Sequence, residues 1–390
     1  MSNPSVLVIH NRYQQPGGED AVVRAEVADL CRRRHRVIQY TRDNAEIADY
    51  GRLRKGSLPL SAVWNPRTHT ELRSLIRRER PDVAHIHNFF PLVSLAAHHA
   101  CKSLGVPVMQ TLHNYRLLCP AATLYAHGQR CADSLHKGVP CVRRGCYRNS
   151  KSQTAAVCGM LAAHRLAGSW HRCVDAYFVP SNFCRERFAA AGLPANKLAV
   201  KPNFLPEDPG PRTSRGDYAL FVGRLSPEKG VLEMVRAWAQ LTEIPLLIAG
   251  GGPLRPQLQQ AIAVTKGRVE LLGQQTPTEI VGRLKAARFL VFPSRWYEPF
   301  GMALLEAAAC GLPAIASRIG AVPELVADCE TGLLFDPDNF DGMVRHARWA
   351  WSHAAEMEQM GRAARRLYLQ NFTPDQSYDA WKTVCLRLLN

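Results

Sequence analysis

Two glutamates, Glu298 and Glu306, carry the strongest chemical signal in this 390-residue sequence. They lie in YEPFGMALLEAAACGL, Tyr297–Leu312, directly after the apolar run Phe289–Pro293. A strand, a Pro-Phe-Gly turn and an alanine- and leucine-rich helix would set the amides of Gly301, Met302, Ala303 and Leu304 at a helix N-terminus. Unpaired amides and the positive end of a helix suit a diphosphate. Glu306 falls inside the helix, among Leu304, Leu305, Ala307 and Ala308. A carboxylate in such company is costly unless it binds something, and ribose hydroxyls would serve. Glu298 precedes the helix, on the side where a sugar would lie.

Three further runs end predicted strands nearby. In ALFVGRLSPEKG, Gly223-Arg224 closes a strand and Lys229 follows five residues later. Arg and Lys at such a loop can neutralise two phosphates, most strongly as charge develops on a leaving nucleotide. In IAGGGP, Gly251 lets backbone approach a ligand closely. In ELLGQQ, Gly273 ends a strand where backbone groups could read a base.

The elements that must position these residues alternate along the whole chain. Short apolar runs at Val6–His10, Val83–His87, Val106–Thr111 and Ala176–Pro180 read as buried strands. Amphipathic stretches such as Ala21–Arg34, Thr70–Arg80 and Leu92–Leu104 separate them. The second half repeats the pattern at Tyr218–Val222, Leu246–Ala249, Val269–Leu272, Phe289–Pro293 and Ala314–Ser317. That alternation predicts an α/β chain of two Rossmann-like, doubly wound parallel-sheet domains, with sites beyond the C-terminal ends of the strands. Residues 1–203 are the expected first domain and 204–372 the second. Lys201–Arg215, with four prolines, reads as a linker. A last helix, 373–390, is expected to cross back onto the first domain. Residues 119–158 read as a loop.

GRLSPEKG, IAGGGP and EPFGMALLEA, in this order and spacing along the chain, resemble the signature of the family 4 retaining glycosyltransferases. The likeness is strong over Ala219–Pro337 and looser in the first half. It implies the GT-B fold, two such domains facing across a cleft that closes over the donor. It implies Arg224 and Lys229 on the donor diphosphate, Glu306 on the ribose, Glu298 near the sugar hydroxyls, and Phe300 and Gly301 giving backbone contacts. It also implies a retaining front-face route in which the leaving phosphate helps deprotonate the acceptor.

In the first half, QQPGGED follows the first strand, and Gly17 and Gly18 are expected to present amides to donor phosphate or acceptor. Glu19 and Asp20 read as first-turn caps of the next helix. His113 ends a strand in TLHNY, and by the resemblance it contacts the donor sugar and acts in the transfer. His87, Asn88 and Tyr115 are expected to line an acceptor pocket, and His85, alternating with His87, to be core. Cys119, Cys131, Cys141, Cys146 and Cys158 contain no C-x2-C pair, so thiols are favoured over zinc. Arg143, Arg144 and Arg148 in the same stretch are candidates for a phosphate-bearing acceptor. Asp336-Pro-Asp338 spells a metal-binding D-x-D but reads as a turn through Pro337. No metal and no cofactor are expected.

The net charge of +16 is concentrated, with 29 Lys and Arg against 13 Asp and Glu in residues 1–203 and 20 against 20 thereafter. A basic first half suits an anionic membrane surface or an acidic acceptor. Nucleic acid is disfavoured because no binding motif for it appears. No signal peptide is evident, so a cytoplasmic protein is expected, peripheral on the inner face of the plasma membrane. The expected function is transfer of a hexosyl group from a UDP- or GDP-sugar to a glycan or lipid-linked acceptor in surface polysaccharide or glycolipid assembly. The alternatives are a GT-B nucleotide-sugar epimerase and a non-catalytic nucleotide-sugar-binding relative.

Overall fold

A computed structural model describes residues 3–14, 17–131, 138–265 and 268–390. They form two compact units, the first of Met1–Ala126, Cys131–Pro206 and Pro374–Asn390, the second of His127–Arg130 and Glu207–Thr373.

The first unit is built on six parallel strands: β1 (Val6–Arg12), β2 (Val37–Asp43), β3 (Val83–Ile86), β4 (Val108–Thr111), β7 (Ala176–Val179) and β8 (Leu198–Val200). Two short strands, β5 (Tyr125–Ala126) of the first unit and β6 (Gln129–Arg130) of the second, lie outside the six-stranded sheets. The order in the sheet is β2-β1-β3-β4-β7-β8. β3, β4 and β7 are buried at every residue, as expected when helices cover both faces of a parallel sheet. The helix Pro374–Leu389 completes this unit, setting Trp381, Val384 and Cys385 against Val6, Val8, Leu30 and Phe178.

The second unit holds β9 (Ala219–Val222), β10 (Leu246–Ala249), β11 (Val269–Gly273), β12 (Phe289–Phe292), β13 (Ala314–Ser317) and β14 (Gly332–Phe335), in the order β11-β10-β9-β12-β13-β14. The chain winds outward from β9 to β11, then returns to β12 on the other side. In both sheets the winding reverses beside the first strand, between β1 and β3 and between β9 and β12. Ligand sites of doubly wound folds lie at such reversals.

Two sequence expectations change. Residues 119–158 are not merely loop: the described part contains a helix at Gly138–Arg144 and the start of another, Lys151–Leu166, capped by Ser150, whose side chain accepts from the Gln153 amide. Cys119 and Cys141 of this stretch are buried, and all its described cysteines are free thiols. Lys201 is not linker either. It is 3% exposed and bonds Glu26, while Phe204 and Leu205 behind it are buried.

Candidate active site

The second unit places Gly223, Arg224, Lys229, Glu298 and the start of the helix Met302–Ala309 after β9 and β12, the strands that flank the reversal, whereas Gly251 and Gly273 stand at the ends of β10 and β11. After β9, Pro227–Lys229 makes a tight turn that ends on Gly230, at φ 65°. A Cβ at Gly230 would sit 2.1 Å from the Pro293 carbonyl, so only glycine lets this turn press against the end of β12. The Arg295 amide, donating to the Glu228 carbonyl at 2.8 Å, stitches the two loops together.

Lys229 is thereby brought to Glu298. Its Nζ lies 3.0 and 2.9 Å from the two carboxylate oxygens. Ser294 Oγ (2.8 Å) and Trp296 Nε1 (2.7 Å) also donate to Glu298 Oε2. Glu298 is 5% exposed, with three donors on Oε2 and Lys229 on Oε1, whereas Lys229 keeps a face to solvent. The loop carrying Glu298 rests on Gly320, at φ 59°, where a Cβ would lie 2.5 Å from both the Glu298 amide nitrogen and carbonyl oxygen. Nothing around Gly320 is singled out from sequence. The signal for this support was the isolated Gly320 after β13.

Gly301, at φ 115°, opens the helix Met302–Ala309. The amides of Met302 and Ala303 are in its first turn, where no helical carbonyl can accept them. Leu304 is different. Its amide already donates to the Gly301 carbonyl at 3.0 Å and its side chain is buried, which removes it from the anion-binding set. Phe300 is buried with its ring edge-on to Phe372, so only its backbone is available. Glu306, one helical turn further on, is half-buried, and its carboxylate has no hydrogen-bond partner among the described residues. Burial pushes its carboxyl up to about 7.

The glycine loops interlock. The Gly223 amide donates to the Ala249 carbonyl, and the Gly250 amide to the Gly273 carbonyl. A Cβ at Gly250 would meet the Gly223 oxygen at 1.9 Å, and one at Gly252 the Leu225 oxygen at 2.4 Å. At Gly251 the nearest atom would be Gln274 Oε1 at 3.6 Å. The residues that require glycine are thus the neighbours of the one singled out from sequence. Arg224 is exposed and has no ion pair among the described residues. Asp336 and Asp338 form a turn, the Asp338 amide donating to Asp336 Oδ1 at 2.9 Å, and Asp338 is paired with Arg130.

The first unit gathers a separate polar cluster at the β1/β3 reversal. Gly17 caps the helix Gly18–Arg32, and Gly17 and Gly18 are both exposed. Residues 15–16 of the glycine loop lie outside the described residues. Asp20 does cap Gly17, but it also bonds His10 Nε2 at 2.8 Å, and both are buried. Glu19 accepts from Tyr13 and Asn114, and burial pushes its carboxyl up to about 7. His113 Nε2 and His87 Nδ1 are 3.0 Å apart, their rings stacked at 5.3 Å. Burial holds both imidazoles below the usual range, His113 at about 3, so both are neutral near pH 7.

His85 is fully buried and bonds Thr111 Oγ1 at 2.8 Å. Glu26, His85 and His87 are the one group among the described residues whose ligand atoms, within 4.8 Å of one another, could hold a metal ion. Glu26 is already paired with Lys201. Asn88 donates to the Asn11 carbonyl, and its Oδ1 accepts the Phe90 amide, both bonds that fix the loop after β3. Tyr115 does not line a pocket. It is fully buried, its ring against Phe188 and its hydroxyl 3.5 Å from Cys184 Sγ. His10, Asp20 and Glu26 were not read as site residues, because nothing in their spacing shows that they converge.

Residues 208–367 match the family described as glycosyl transferases group 1, and residues 16–208 match Glycosyltransferase Family 4. The D-rhamnosyltransferase WbpZ of Pseudomonas aeruginosa is 37% identical over 167 residues, 42% of either chain. A glycogen synthase of Mycobacterium tuberculosis is 29% identical over 324 residues, 79% of this chain and 67% of its own. The match thus spans about two fifths of the first relative and two thirds of the second. Among solved structures, Anabaena HepE in complex with UDP and glucose superposes with a TM-score of 0.71 at 18% identity, covering 98% of this chain and 99% of its own. With two matched regions that together run from 16 to 367, and two Rossmann-like parallel sheets, this chain belongs to the group 1 glycosyltransferases, transferase enzymes of the GT-B fold.

Proposed function

We propose that this protein transfers a hexosyl group from a UDP- or GDP-sugar to a glycan or lipid-linked acceptor, with retention of configuration, in surface polysaccharide or glycolipid biosynthesis. The observation that carries the proposal is the Lys229–Glu298 contact beside an unpaired Arg224 and the open first turn of Met302–Ala309. Lys229 and Arg224 neutralise the diphosphate, and the Met302 and Ala303 amides receive its oxygens. These charges and dipoles are fixed before reaction, so they favour the state in which the leaving nucleotide gains charge. Glu306 accepts from the ribose hydroxyls, which explains a carboxyl without a protein partner. Glu298, locked by three donors, meets the sugar hydroxyls through its remaining acceptor capacity.

Gly17 and Gly18 are assigned to phosphate or acceptor contacts, His113 to the transfer step, and His87 and Asn88 to the acceptor. Phosphate neutralisation needs no metal in this scheme, so activity persists with EDTA. A cytoplasmic location, peripheral to the inner membrane face through the basic first half, is part of the same proposal. The test is hydrolysis and transfer with UDP- and GDP-sugars. Slow nucleotide release without acceptor is expected, abolished in Lys229→Ala. Isomerised free sugar would replace this reading with an epimerase, and absence of any turnover with a binding protein.

A further inference from the structure

A second cationic site lies in the second unit, at the opposite end of the helix Met302–Ala309. A cavity of about 480 Å³ is lined by five arginines: Arg212, Arg215, Arg362, Arg365 and Arg366. One carboxylate, Glu358, faces them. The charges are unevenly compensated. Arg362 is paired with Glu358 at 2.9 Å. Arg365 is paired with Asp208 and also donates to the Ala309 carbonyl at 2.6 Å. Arg212, Arg215 and Arg366 have no ion pair among the described residues.

Arg212 is the most constrained of the three. Its amide donates to the Cys310 carbonyl at 2.8 Å and its Nη1 to the Ala287 carbonyl at 2.9 Å, so its place is fixed by backbone. Burial disfavours its charge, Glu358 across the cavity favours it, and Arg215 and Arg288 repel it. Guanidinium groups held together without anions repel one another, and a multiply charged anion relieves the repulsion while offering paired acceptors. The Thr213 and Ser214 side chains line the same wall and offer hydroxyl donors.

We infer that this cavity binds a phosphorylated ligand carrying at least two negative charges, gripped by Arg212, Arg215 and Arg366. Arg362 and Arg365, already paired, shape the rim. The site is distinct from the donor site. Its floor is Cys310–Gly311, where the donor helix ends. There the helix Ala354–Asn371 packs backbone to backbone, since a Cβ at Gly361 would fall 2.2 Å from the Gly311 carbonyl. The ligand is either a free phosphorylated metabolite or the headgroup of a phosphate-bearing lipid.

The inference stands without the donor assignment, and the test keeps the two apart. Inorganic pyrophosphate is titrated by calorimetry into the wild-type chain, R224A/K229A, and R224A/K229A with R215E/R366E added. Arg215 and Arg366 have no ion pairs to lose, and circular dichroism checks that each variant folds. Binding that survives R224A/K229A and weakens about tenfold or more on adding R215E/R366E is expected. If pyrophosphate fails to bind R224A/K229A, or binds the quadruple variant equally well, the inference is overturned. Equal stoichiometry in wild type and R224A/K229A would instead count against the donor site and leave this one standing. Co-flotation with phosphatidic acid vesicles, lost in R215E/R366E, identifies the lipid source. Pyrophosphate binding without flotation identifies a free metabolite.

Discussion

Lys229 and Glu298, 69 residues apart in sequence, form a charge pair in which one amine reaches both carboxylate oxygens, at 3.0 and 2.9 Å. The carboxylate is the more buried partner, with its side chain 7% exposed against 20% for lysine. Removing the lysine leaves a buried anion with only Ser294 and Trp296 as donors. Lys229→Met is therefore expected to cost about 1–3 kcal/mol of stability and to lower turnover by about two orders of magnitude. Glu298→Gln, which keeps the acceptor oxygen, should cost less stability. Thermal unfolding and initial rates on the same preparations separate the two effects, and a wild-type rate in Lys229→Met would refute the role.

Glu306 makes stability depend on pH. Its folded pKa of about 7 lies above the ordinary 4.5, so the folded chain holds a proton that the unfolded chain has lost. Any penalty is absent below pH 4.5, grows as pH rises, and is complete above about 7. Glu306→Gln is accordingly expected to stabilise the protein at pH 8 by about 1–2 kcal/mol and to change nothing at pH 4.5. Unfolding midpoints of both proteins at the two pH values check this. An equal difference at both would show that the carboxyl is not perturbed.

The same group predicts the pH dependence of nucleotide affinity. Ribose hydroxyls donate to the ionised carboxylate and so favour its charged form. UDP or GDP should bind more weakly as pH falls below 7, by about threefold to tenfold at pH 6, and the effect should vanish in Glu306→Gln. Calorimetry in two buffers of different ionisation enthalpy should show a proton released on binding at pH 6.5. No release would remove the ribose assignment.

Gly320 is expected to be intolerant of any side chain. Its φ of 59° disfavours other residues, and its Cβ position overlaps the Glu298 backbone. Gly320→Ala should cost about 2–4 kcal/mol and reduce nucleotide affinity, although Gly320 itself contacts no proposed ligand. The control is Gly282→Ala, where a Cβ would meet nothing within 4 Å. Equal melting points for the two variants would show that the Glu298 loop does not need this support.

The second sheet was legible because its strands are short apolar runs that end in glycines and charges, as at Val222-Gly223-Arg224. The donor residues converge because β9 and β12 are neighbours, which the repeated strand–helix pattern implies. β2 was harder to see. Its residues VIQYTRD are only half-covered at the sheet edge, so they lack a continuous apolar run. Leu304 was misplaced because an amide taken by an i−3 carbonyl looks like a free one in sequence. Tyr115 was misplaced because strand-end position does not fix which way a side chain turns. The His10–Asp20 and Glu26–Lys201 contacts span 10 and 175 residues and carry no motif, so only the folded sheet brings them together.

In the first unit, burial keeps His113 and His87 neutral, and that has a kinetic consequence. The pH–rate profile between 5 and 8 should show no inflection from His113, whose pKa of about 3 lies outside that window. His113→Ala should still lower turnover by about two orders of magnitude at every pH in the range. A rate loss in the variant confined to one side of pH 6.5 would mean that the histidine titrates as an exposed one does.

In the proposed donor site, Arg224, Lys229 and the first turn of Met302–Ala309 together hold a nucleotide diphosphate. A crystal structure of the protein with UDP or GDP, whichever raises its melting temperature more, tests this most directly. Phosphate oxygens are expected within hydrogen-bond distance of Lys229 Nζ, the Arg224 guanidinium and the Met302 or Ala303 amide, with a ribose hydroxyl on Glu306. Density for the nucleotide elsewhere, with these groups facing only water, would contradict it.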